Sequence, residues 1–481
     1  MSHTSQHGLE DAGATVKSID ILPDEILAYI FTIGARSRPG PYDELPFPLL
    51  VSCITRRWRD VAINSPSVWS NLIFTTSVHS DRWCSALWLP RSGAHPLDIT
   101  IDLLGRAKER IMNLIIPHVA RWRRFSVKAW DRGDLEVVLL PLRTASAPLL
   151  QHVEFRCLVD EEAESWHPHE HCLTLDTTLL RSVRLRGLCM DCAPPHIGLT
   201  AMQLDSHQTF LTYNQISDLL SASPGLKTLM LRLSRINLPD DTNLPVIKLP
   251  SLRSLAMNFR HCENSFVYLF ALLSMPALES LELIRMSHTH TDDFYDYCMT
   301  HSVSPKYPNL RKLKLFSCGE AANCGITFDE HMMDDFLAIF PTITSLYRVE
   351  SKTRFITPPH FSLLKEITFS AILPEQIDWV RDEVQARLSS AQPLSRIRVS
   401  RYTYSLNVHV WSRLRDLVEV VELDDDSDSL RYTGESDDEM GDDFDGEDPL
   451  AGYDDLSDGG IEEWEDDYED ETEEDAWDSD D

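Results

Sequence analysis

Three stretches decide how this chain folds: LPSLRSL at 249–255, MPALESL at 275–281 and YPNLRKL at 307–313. Each sets a proline just ahead of the first leucine of an L-x-x-L-x-L run. The proline stops the preceding segment, and the alternation that follows commits one face of a short strand to the interior. Outward from these three, the run recurs at Leu150-Val153-Phe155, Leu180-Val183-Leu185, Leu199-Met202-Leu204 and Leu226-Leu229-Leu231. Beyond Leu252-Leu255-Met257, Leu278-Leu281-Leu283 and Leu310-Leu313-Leu315 it continues at Leu364-Ile367-Phe369 and Leu394-Ile397-Val399. Weaker copies start at Trp122 and Ile343, and neighbouring starts lie 19 to 33 residues apart. One such unit cannot bury its own apolar face. Units stacked side by side form a parallel strand ladder with a continuous core. The expected class is therefore α/β: a helical N-terminal module, then an irregular repeat solenoid.

The charge is divided as sharply as the pattern. Of 481 residues, 77 are acidic and 44 basic, a formal charge of −33. Residues 422–481 hold 31 acidic side chains and one basic, Arg431, which leaves residues 1–421 at only −3. Such a tail repels itself and has little apolar surface to offset its ordering entropy, so disorder is expected there. Residues 1–18 read as a loose leader, 19–75 as a helical module, 76–421 as the solenoid and 422–481 as the tail. No apolar run reaches the 18–20 residues of a membrane span; the longest are pieces like Phe266–Leu273. No secretory signal opens the chain, and ten irregularly spaced cysteines read as reduced thiols. An intracellular protein, cytoplasmic or nuclear, is expected, with no membrane contact. The acidic balance argues against direct nucleic-acid binding.

The module is compact and aromatic-rich. In DILPDEILAYIF, residues 20–31, Pro23 suits a first helical turn, Asp24 and Glu25 favour a helix N-terminus, and Ile26, Leu27, Ile30 and Phe31 share a face. A Pro/Gly-rich connector follows over 36–48. In residues 49–69, Leu50, Ile54 and Trp58 recur at i, i+4 and i+8 with Val51, Val61 and Ala62 beside them, and Arg56, Arg57, Arg59 and Asp60 supply a wet side.

This block resembles the F-box. The matching residues are Leu22-Pro23, Glu25-Ile26-Leu27, Ile30-Phe31, Leu50-Val51-Ser52, Arg57-Trp58-Arg59 and the Pro66…Trp69 ending. The connector is longer than the compact motif. The repeats in turn resemble leucine-rich repeats, and the combination is typical of the large fungal F-box families. The resemblance implies a substrate-recognition subunit of an SCF-type cullin-RING ubiquitin ligase. Its F-box would dock a Skp-family adaptor, and through it a cullin, while its repeats hold a protein substrate. Leu22, Pro23, Ile26, Leu27 and Phe31 become the expected adaptor contacts, supported by Leu50, Val51 and Trp58. The alternatives are a protein-interaction scaffold acting without ubiquitin, an acidic histone- or chromatin-binding repeat protein, or an acidic inhibitor protein.

Catalytic chemistry is not legible. There is no nucleophile elbow, phosphate-cradling glycine loop or metalloprotease helix, so no enzyme activity and no cofactor is expected. His167, His169, His171 and Cys172, with Cys189 and Cys192, contain zinc-type ligands, but their order fits no zinc-finger spacing. In the tail, Ser436 and Thr472 precede acids and could accept phosphate.

The register permits a finer expectation. The third, fifth and seventh positions of each L-x-x-L-x-L-x run point away from the core, onto an open, concave face. Across eleven copies these positions carry ten basic side chains, including Arg156, Arg184, Arg186, Arg232, Lys312, Lys314, Arg396 and Arg398. Against them stand four acids, Glu154, Asp205, Glu282 and Glu366. A basic stripe suited to an acidic or phosphorylated substrate segment is expected, or one masked by the acidic tail. Lys and Arg on strands also serve solubility, which is the plainer reading.

Overall fold

A computed structural model of the chain describes residues 19–36, 45–74, 84–103, 108–158, 177–187, 198–206, 211–233, 236–237, 244–259, 265–286, 290, 293, 307–316, 339–349, 362–370, 374–390, 392–406 and 408–423. The chain divides into residues 1–424 and 425–481, and every described residue belongs to the first unit. The leader 1–18, the His/Cys cluster, Ser436, Thr472 and the tail from 424 on lie outside the described residues.

Fourteen strands form one sheet in which chain order is spatial order and every neighbouring pair runs parallel. They are β1 (Asn71–Phe74), β2 (Leu97–Leu103), β3 (Trp122–Ala129), β4 (His152–Cys157), β5 (Ser182–Arg186), β6 (Ala201–Ser206) and β7 (Thr228–Leu233). The second half comprises β8 (Ser254–Asn258), β9 (Ser280–Ile284), β10 (Lys312–Phe316), β11 (Ser345–Val349), β12 (Glu366–Phe369), β13 (Arg396–Ser400) and β14 (Glu419–Leu423). Helices return the chain between several strands, among them α4 (Lys108–Ile115), α5 (Arg132–Leu139), α6 (Tyr213–Ser221), α7 (Ser265–Leu272) and α8 (Pro374–Ser389). The class is mixed α/β with one long parallel sheet.

The register lines up the apolar residues in two inward files. One runs Ile99, Phe125, Val153, Val183, Met202, Leu229 and Leu255, and then Leu281, Leu313, Leu346, Ile367, Ile397 and Val420. All of these are buried. Ile111, Met112 and Ile115 of α4 and Tyr213, Ile216 and Leu220 of α6 belong to the same core.

The prolines have a sharper role than stopping a segment. Before six strands the chain makes one turn, closed by Leu150 N to Ala147 O, Leu226 to Ser223, Leu252 to Leu249, Leu278 to Met275, Leu310 to Tyr307 and Ile343 to Phe340, at 3.0–3.4 Å. The second turn residue is in every case a proline, whose fixed φ is preset for that position. The first is buried and adds another file to the core. At ten strand entrances, with or without that turn, the residue two places before the strand's first inward side chain extends the ladder. Gln151, Arg181, Thr200, Lys227, Arg253, Glu279, Arg311, Thr344, Lys365 and Ser395 each donate N–H to the carbonyl of the preceding member of that file, beginning at Arg123, at 2.8–2.9 Å.

Gly187, just after β5, has φ +68°, and a Cβ there would sit 2.6 Å from the Cys157 carbonyl oxygen. Glycine is what that approach requires.

Two boundaries differ from expectation. Asn71–Phe74 is the first ladder strand, not part of the helical module. Glu422 and Leu423 close the last strand, so the acidic segment does not begin at 422. The first strand and β2 lack the L-x-x-L entrance, and the last strand has Leu417 and Val420 in it but Glu422 at the third apolar place, which is why the repeat pattern missed them.

Candidate docking surfaces

Among its described residues the module has three α-helices: α1 (Asp24–Arg36), α2 (Phe47–Ile54) and α3 (Arg56–Ile63). The apparent single period over 49–69 is broken at Thr55. Its extended backbone ends α2, and its hydroxyl oxygen accepts the N–H of Trp58, capping α3 at 3.1 Å. Leu50, Ile54 and Trp58 therefore do not share a face: the first two are exposed, while Trp58 packs at 5.1 Å against Phe31. Gly34 of α1 lets Phe47 of α2 in, since a Cβ would overlap its ring. The Arg57 guanidinium ties α3 to Asp24 at 2.7 Å and to the Leu22 carbonyl. Asn71 donates to the Ala35 carbonyl at 3.0 Å and Trp69 Nε1 to that of Ala62 at 2.7 Å, joining module to ladder in one core.

The eight expected adaptor contacts divide. Leu27, Phe31 and Val51 are buried, and Leu22 and Trp58 pack half-buried against the core. Five of the eight thus hold the module together rather than face outward. Pro23, Ile26 (46 % exposed) and Leu50 (48 % exposed) do face outward. Beside them on α1 and α2 the outer surface carries Tyr29, Ile30, Ile33 and Ile54, all exposed. None of these four was among the expected contacts, although Ile30 belongs to the stretch that carries the resemblance. The face first read as common to Ile26, Leu27, Ile30 and Phe31 is in fact split: a 3.6-residue period places 26, 30 and 33 on one side and 27, 31 and 35 on the other.

The ladder's open face holds the expected basic residues in register but not as a free stripe. Asp205, 6 % exposed, lies between Arg186 at 3.5 Å and Arg232 at 3.6 Å, the latter itself buried. Lys314 meets Glu282 at 3.7 Å, Arg398 meets Glu366 at 2.8 Å, and Arg396 meets Glu419 at 3.0 Å. Strands β2 and β14 add Asp98, Asp102 and Glu419, so over fourteen strands ten basic residues meet seven acidic ones. Asp102 lies 3.8 Å from Lys128. Arg156 is half-buried, while Arg184 and Lys312 are exposed and carry no ion pair among the described residues. Parallel stacking explains the outcome: it brings residues 19–33 positions apart side by side on neighbouring strands, a proximity that a count by type does not see.

His152 is embedded in this charge pattern. Burial, then Arg124, Arg123 and Arg184, lower its pKa, with Asp98 opposing. Asp98 in turn takes two hydrogen bonds from Arg123, which raises the guanidinium's pKa.

Among the described residues no group of three or more His, Cys, Asp or Glu side chains is placed to hold a metal ion, and no helix is long and apolar enough to cross a membrane. Searched against known proteins, the chain matches no family model and no curated protein.

Proposed function

We propose that this chain is the substrate-recognition subunit of an SCF-type cullin-RING ubiquitin ligase. Residues 19–70 act as an F-box that docks a Skp-family adaptor, and through it a cullin. The strand ladder acts as an irregular leucine-rich-repeat solenoid that holds a protein substrate. The observation that carries this reading is the outer face of α1 and α2. Pro23, Ile26, Tyr29, Ile30, Ile33, Leu50 and Ile54 stand exposed together on a module whose inner residues already have partners. An apolar patch of this kind marks a protein-interaction site, and apolar side chains at helical spacing suit docking against partner helices.

The test is capture of a Skp-family adaptor by the full chain and by an Ile26→Asp/Leu50→Asp variant. Both positions are exposed, so the variant keeps the parent's melting temperature while capture falls at least tenfold. Equal capture by both proteins overturns the assignment.

A further inference from the structure

Exposed cations are more numerous at the ladder's strand-entry edge than on its open face, where Arg124, Arg184 and Lys312 are the exposed ones among the described residues. The file that extends the ladder by backbone hydrogen bonds carries Arg181, Lys227, Arg253, Arg311 and Lys365, all exposed, against one acid, Glu279. Glu279 pairs with Arg253 at 2.9 Å. Arg311 is held by its own turn, donating to the carbonyls of Pro308 and Leu310 at 2.9 and 3.1 Å. Among the described residues Arg181, Lys227, Arg311 and Lys365 make no ion pair. The turns that lead into β5–β12 contribute no acidic residue in their described positions. Between β5 and β13 Thr200, Thr344 and Ser395 occupy the other places of the file, and each hydroxyl is used on the carbonyl of the preceding member, at 3.2, 3.2 and 2.9 Å. The hydroxyls bind the fold, leaving the cations as the file's outward chemistry.

We propose that this edge docks a carboxylate-rich segment of the substrate protein, laid across the strands from β5 to β12. The proposal rests on the reading of the ladder as the substrate-holding half. Charge complementarity selects the occupant. Seven strand intervals at ~4.8 Å give roughly 34 Å, the span of about ten extended residues. Exposed Leu179 and Leu363, each two residues ahead of an edge cation, suit apolar residues spaced among the acids. A single-stranded nucleic acid fits less well, because base stacking needs aromatic platforms. The exposed aromatic residues among those described, Tyr29, Trp130 and Tyr268, stand outside this file and its turns.

The experiment measures binding of a labelled 12-residue Glu-rich peptide to the full chain by fluorescence anisotropy at low salt. Two variants serve as comparison: Lys227→Glu/Arg311→Glu/Lys365→Glu at the edge, and Arg124→Glu/Arg184→Glu on the open face. All five positions are exposed, so both variants keep the parent's melting temperature. Expected is at least a tenfold loss for the edge variant, less than twofold for the face variant, and fading of wild-type binding with added salt. The proposal is overturned if the full chain does not bind the peptide, if the face variant loses as much as the edge variant, or if an oligonucleotide of equal charge binds as tightly. The assay contains no adaptor, so failed adaptor capture and failed peptide binding are separate results.

Discussion

In the ladder, the aliphatic side chains of both inward files are buried from β2 to β13; in the module, the same residue types stand in water. Ten of the twenty exposed large apolar residues among those described fall between Ile19 and Ile63, a short fraction of the chain. Stacking explains the difference. Each ladder unit has a neighbour on both sides, so its apolar row is covered as soon as the next unit folds. The module has the ladder on one side only, and three short helices cannot cover their own outer surface. What remains apolar and exposed there is surface for which the fold itself has no use.

That contrast can be broken or sharpened in order of expected effect. Trp69 is fully buried where module meets ladder, edge-on to Trp88 at 5.1 Å, with Arg91 over its ring at 4.3 Å. Trp69→Ala should cost about 3–5 kcal/mol by leaving a cavity there. Denaturant unfolding read in near- and far-ultraviolet circular dichroism should show both parts losing stability together; separate transitions would divide the core into two.

Asp205→Ala removes the carboxylate shared by Arg186 and Arg232, and should cost roughly 3 kcal/mol, since it strips a buried guanidinium of its counter-charge. A change under 1 kcal/mol in chemical denaturation would place Arg232 in a wetter setting than its burial indicates. Gly187→Ala combines a left-handed backbone with overlap on the Cys157 carbonyl, for an expected loss of about 1–3 kcal/mol. A thermal melt equal to wild type would contradict that close approach.

The smallest effect is one of pH. His152 has a lowered pKa in the fold, so as pH falls below about 6.5 the unfolded chain takes up the proton first and stability is lost. His152→Gln should lose less melting temperature than wild type between pH 7.5 and 5.5. An equal drop in both proteins would mean that neither burial nor the surrounding guanidinium groups lower the imidazole's pKa.

The sequence displayed the ladder well and its surfaces poorly. Leucine spacing located eleven strands and their inward residues because the pattern is a direct image of burial. It missed β1 and β2, whose inward Leu72 and Ile99 have Trp69 and Pro96 three places earlier instead of leucine, and β14, where Glu422 stands at the third apolar place. On the module, Ile26 and Leu27 were grouped although the helical period sets them apart; the packing of Phe31 on Trp58 decides which side is inward, and Thr55's cap divides Leu50 and Ile54 from Trp58. The basic stripe is interrupted for a different reason. Glu366, Glu419 and Asp205 neutralise it from neighbouring strands, and lateral proximity is invisible in a one-dimensional count. The entry file escaped notice because its position, one residue before the strand, was grouped with neither the core nor the face.

The hydrogen bonds that extend the ladder along that file are main-chain bonds, made alike whichever side chain stands there, and the bonds of its hydroxyls and of Arg311 are additions to them. Arginine, lysine, glutamate and threonine occupy it with the same geometry. Substitution there changes what the surface presents without changing whether the chain folds, one unit at a time. A protein that must acquire new partners has in this edge a row of positions where variation is nearly neutral for stability and immediately exposed to selection on binding.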